Sequence, residues 1–145
     1  MTFVDRVVPT SIAPAAVLEP VRVLVVAAGT GFALGVGDLW ALYHLSPGVS
    51  GQINSCLGWA SAVLILGFLL RTHPAYAALG GAVMMLVAVE AYYVFNSGLL
   101  TPDLSAWDGL SAQYWSVIGV PTGLLFGVLG AWMRLGVGWL IGLVR

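Results

Sequence analysis

The chain has 145 residues, of which 60% are hydrophobic and 8% charged, with a formal net charge of −1. An ordinary soluble domain is roughly 45–50% apolar and about 25% charged, so this chain cannot cover a globular surface with polar groups. A nucleic-acid binder, a disordered chain and a disulfide scaffold are excluded, the last because Cys56 is the single cysteine.

Residues 1–20 contain Pro9, Pro14 and Pro20. They lack the basic start, apolar run and small-residue cleavage site of a signal peptide. A cytoplasmic arm is expected. Phe3, Val7, Val8, Ile12, Val17 and Leu18 either lie along the headgroups or belong to a loosely ordered segment. Four apolar stretches then follow, each near the ~20 residues that cross a ~30 Å hydrocarbon core. They cover about residues 21–45, with Asp38 and His44 near the far end, 54–70 with no charge, 75–96 with Glu90, and 112–133 with no charge. Backbone groups in lipid must bond within their own segment, and no two-residue alternation suggests a barrel. The expected fold is all-α, a polytopic four-helix membrane bundle. Residues 135–145 are too short to span and are expected to bend at Arg134 into the interface, anchored by Trp139 and Arg145.

The cations fix an orientation. All five are arginine: Arg6 and Arg22 precede the first stretch, Arg71 falls between the second and third, and Arg134 and Arg145 follow the fourth. The other two loops carry no arginine, and the second contains Asp103 and Asp108. The positive-inside rule then places both termini in the cytoplasm, with the chain in the plasma membrane.

Small residues four apart let membrane helices approach closely. Gly31 and Gly35 supply this on the first helix, and Gly119, Gly123 and Gly127 on the fourth. The run on the fourth is long enough to serve a helix of another chain as well. Pro121 is expected to kink that helix by clashing with the Val117 carbonyl, which leaves Ser116 or Thr122 to satisfy the freed groups.

An ionised side chain at a helix centre costs roughly 2.5–3.5 kcal/mol on insertion scales, so retained acids point to function. Asp38 and Glu90 fall at similar depth, and Tyr93, His44, Asn54 and Asn96 gather at the same end. One reading is an outward-facing pocket for a small polar or cationic solute, with the two acids as charge partners. In the other, Asp38 is hydrated near the surface, Glu90 is satisfied by a neighbour, and the aromatics form an interfacial belt. His44 and His73 lie at opposite ends of their helices and cannot share a haem iron. No metal, cofactor or catalytic set is expected; Ser46, His44 and Asp38 lack an oxyanion site.

Three segments carry a resemblance: Ile53-Asn-Ser-Cys-Leu-Gly-Trp59, Gly80-Gly-Ala with Glu90-Ala-Tyr-Tyr93, and Tyr114-Trp-Ser-Val-Ile-Gly with Gly127-Val-Leu-Gly-Ala-Trp132-Met-Arg134. Together they resemble a family of small uncharacterised actinobacterial integral membrane proteins, catalogued as a domain of unknown function. The resemblance implies a membrane fold and no activity. The residues favour a non-catalytic accessory or packing subunit of a larger membrane assembly. Its expected partners are membrane lipid and other membrane subunits, or a second copy joined through the fourth helix. The alternative is a small transport or solute-binding protein that uses Asp38 and Glu90.

Overall fold

The computed structural model describes residues 14–99 and 110–143, with side chains over 18–97 and 110–142. The arm residues up to Ile12, the Val17 side chain, the loop acids Asp103 and Asp108, and Arg6 and Arg145 lie outside the described residues. Five helices follow in order: α1 (Pro14–His44), α2 (Pro47–Ile53), α3 (Cys56–Leu69), α4 (Pro74–Leu99) and α5 (Leu110–Leu143). No strand occurs among the described residues.

Three helical segments are long and apolar enough to cross a membrane: Leu18–His44 of α1, Pro74–Ser97 of α4 and Leu110–Gly142 of α5. With 14 residues, α3 rises only ~21 Å at ~1.5 Å per residue. It reaches spanning length only together with α2, across a 49° bend. Among the described residues the fold is therefore all-helical, with three spanning-length helices, or four if the bent pair forms one span.

Three boundaries differ from expectation. Residues 14–20 belong to α1 rather than to an arm, with Pro20 inside the helix. Pro20 forfeits one backbone bond near the helix start, while Ala15, Ala16 and Leu18 favour helix. The loop expected before Asn54 contains α2, because extended Ser46 (φ −61°, ψ 147°) stands at its N-terminal boundary with its carbonyl accepting from Val49 and Ser50, and Pro47 opens it. The bend expected at Arg134 is absent, since α5 continues to Leu143. No proline or polar capping residue interrupts 135–143, and continued helix gives each amide a partner.

α4 is the centre of the packing, with α1 on one side, α5 on the other, and α3 against both α4 and α5. α1 and α4 run in the same direction with a register of 53 residues, from Glu19–Thr72 to Tyr43–Asn96. Gly31 opposite Met84 and Gly35 opposite Ala88 keep that register; a Cβ at either glycine would strike the facing carbonyl oxygen. α5 runs antiparallel to α4, and Cβ atoms at Gly123 and Gly127 would strike the carbonyl oxygens of Gly81 and Ala77. Gly119 is looser, with the Met85 methyl 3.5 Å from the Cβ position. The small-residue face of α5 from Gly123 to Gly130 thus packs against this chain's own α4 and α3. The core joins Val23 and Ala27 of α1 to Val63, Leu66 and Leu70 of the α3 region and Met84 and Met85 of α4.

Candidate functional site

α1 and α4 end, and α3 and α5 begin, at one end of the molecule. The 53-residue register sets Asp38 level with Ala91, one residue from Glu90. The two acids share a depth but not a neighbourhood. Asp38 is only 1% exposed and accepts a hydrogen bond at Oδ2 from the Trp59 indole, 3.0 Å away. Its other oxygen, Oδ1, is buried without a hydrogen-bond partner among the described residues. Glu90 is half-buried and accepts from the Ser116 hydroxyl of α5 at 3.2 Å. Asp38 is therefore tied to α3 and Glu90 to α5.

A cavity of about 270 Å³ opens between the first half of α3, the second half of α4 and the first half of α5. Its walls are mainly aromatic and aliphatic, including Trp59, Tyr92, Trp115 and Ile118, with Asn54, Ser55 and Thr122 as polar points. Trp59 and Tyr92 meet edge to face with ring centroids 6.4 Å apart. Asp38 is joined to this pair through the Trp59 indole. Asp38 thus stands behind the Trp59–Tyr92 wall and fixes the indole by its hydrogen bond. The loose fit at Gly119 leaves the space that tighter α4–α5 packing would fill.

Of the sequence candidates, Asn54 and Tyr93 line this cavity, while Asp38, Glu90, His44 and Asn96 do not. His44 turns back on its own helix, with Nδ1 2.8 Å from the Trp40 carbonyl and its ring stacked on Trp40 at 4.8 Å. Asn96 accepts from the Tyr43 hydroxyl at 3.4 Å. The lining residues Met85, Val89, Ile118 and Thr122 were not singled out as site residues. They read as ordinary core or helix surface, and only the α3–α4–α5 arrangement brings them together. Thr122 also returns its hydroxyl to the Ile118 carbonyl at 2.8 Å, beside the backbone position that Pro121 leaves without a donor. Among the described residues, no three His, Cys, Asp or Glu side chains form a metal-ligating group.

A second polar cluster forms at the opposite end, around the turn from Leu70 to His73. Arg22 of α1 donates to the Leu70 carbonyl at 3.1 Å, and Arg134 of α5 donates to the Thr72 carbonyl at 2.9 Å. The buried Thr72 hydroxyl donates to Glu19. Arg71 itself is left-handed, with φ 49°, a conformation that disfavours residues with a Cβ. His73 receives the Ala75 amide on Nδ1 at 3.3 Å and so helps to cap α4. The sequence placed Arg22, Arg71 and Arg134 on one side of the membrane, but gave no sign that two of them reach the same turn.

No protein family, curated protein or solved structure matches the chain. Its three spanning-length apolar helices are compatible with a multi-pass membrane protein.

Proposed function

We propose that this protein is a four-span plasma-membrane protein that binds a small, mainly apolar molecule. The bent α2–α3 pair serves as the second span, completing a four-helix bundle. The arginine distribution places both termini in the cytoplasm and opens the cavity toward the outer side. The observation that carries the reading is the 270 Å³ cavity with Asp38 behind its Trp59–Tyr92 wall. Ligand sites are concave, largely apolar and furnished with few polar groups. Asp38 supports the same reading by holding the Trp59 indole in place through its hydrogen bond, which keeps that wall of the cavity fixed.

The test is mild-detergent purification followed by solvent extraction and mass spectrometry of small molecules. Wild-type protein is expected to retain a compound that Gly119→Phe, which fills the cavity, releases. Asp38→Asn is expected to weaken retention, and Glu90→Gln to leave it unchanged. A wild-type extract containing nothing beyond bulk lipid overturns the reading. Orientation is checked on intact cells with a membrane-impermeant maleimide, since exposed Cys56 sits at the outer end under this topology. Labelling there supports it; labelling only after permeabilisation reverses it.

The accessory-subunit reading is kept alive by one observation, the exposed stretch from Leu135 to Ile141 in α5. It predicts that Gly138→Leu releases a co-purifying membrane protein without unfolding the chain.

A further inference from the structure

We infer that the Leu70–His73 turn is a binding site for the phosphate of an anionic phospholipid. Guanidinium groups reach this turn from α1 (Arg22) and α5 (Arg134), and Arg71 lies within it. Three acids occur among the described residues. Two, Asp38 and Glu90, lie toward the far ends of α1 and α4; the third, Glu19, is engaged by the Thr72 hydroxyl. Among the described residues, three cations against one carboxylate leave a local excess of positive charge. The N-terminus of α4, at Pro74, adds the positive end of its dipole. A guanidinium has five donors, so Arg22 and Arg134, each bonded to one carbonyl of the turn, keep donors for phosphate oxygens.

Arg71 supplies the second observation. A glycine would fit its left-handed backbone better, yet the position holds an exposed, charged side chain. Strained residues of this kind point to a use for the side chain. The surroundings favour a lipid over a soluble phosphate. Next to the cluster and on its membrane side, α1 exposes Val21 and Val25, and α5 exposes Trp132, an apolar flank for acyl chains below a headgroup. Basic pockets between membrane helices recognise anionic headgroups in this manner. The inference rests on the membrane-spanning reading, but it uses no cavity residue and does not depend on which side faces the cytoplasm.

The test is native mass spectrometry of the full-length chain with phosphatidylglycerol, phosphatidylcholine or sodium phosphate as added probe. Phosphatidylglycerol is expected to remain bound where phosphatidylcholine is lost, and millimolar sodium phosphate is expected not to displace it. Arg71→Gln should lower phosphatidylglycerol occupancy about fivefold, the share of one arginine at a membrane surface, without changing thermal stability. Arg71→Lys should restore it. Equal retention of both lipids, or full retention by Arg71→Gln, overturns the proposal. Displacement by sodium phosphate overturns the lipid assignment in favour of a soluble anion.

Discussion

The two halves of α5 are alike in composition and opposite in fate. From Gly119 to Gly130 the glycines face α4 and α3, and most sit so close that a Cβ would collide with a backbone carbonyl. From Leu135 onward Gly136, Gly138 and Gly142 have nothing within 4 Å of a Cβ position, and Trp139 is 68% exposed. Glycine spacing permits a close approach but does not create one. The partner helix must also present small residues at the same level, as Ala77 and Gly81 of α4 do. Beyond Arg134, α3 and α4 have already turned back at Leu70–Pro74, so neither helix is there for α5 to pack against among the described residues.

The largest effect that would break this contrast is Gly123→Leu. Four added carbons would meet the Gly81 carbonyl and the Ala82 Cα, so a loss of about 3 kcal/mol or more is expected in reversible denaturation in detergent. Gly138→Leu, with open space around it, should stay within about 0.5 kcal/mol in the same measurement. Equal losses in the two variants would dissolve the comparison.

A smaller change is expected at the junction between the halves. Arg134→Gln removes the charged donor to the Thr72 carbonyl, a bond worth about 1.5–3 kcal/mol when one partner is ionised. Hydrogen exchange of the Leu70–His73 amides should rise in that variant, while amides beside Gly123 keep their protection. At the cavity, Trp59→Phe keeps an aromatic wall but removes the donor to Asp38. A loss of about 1–3 kcal/mol is expected, and thermal unfolding checks it. The smallest effect should be a gain. Arg71→Gly relieves a positive φ and is expected to add about 1 kcal/mol to thermal stability, with lipid occupancy falling in parallel.

How much of this was legible in the sequence depends on what kind of contact each residue makes. Asp38 and Glu90 stood out as acids in apolar stretches, and counting along two helices that start at the same side gave their common depth. Which way each side chain faces could not be counted. Asp38 meets Trp59 across α1 and α3, and Glu90 meets Ser116 across α4 and α5, because α4 lies between α1 and α5. α2 has only seven residues, too short for an apolar-run reading to separate it from a loop. The Glu19–Thr72 and Arg134–Thr72 bonds join residues 53 and 62 positions apart, a separation that no local pattern encodes.

Composition and the lengths of the uncharged runs were enough to determine an all-helical, lipid-compatible chain with long apolar helices, because backbone bonding without water admits little else. The positions of the small residues determined where helices can come close. Only the tertiary structure decided which helices do so, and with them the central place of α4, the separation of the two acids and the cavity beside Trp59. Those features depend on the relative rotation and register of helices. Many arrangements bury similar apolar area in such a chain, and steric fit at a few glycines and a few long-range hydrogen bonds select among them.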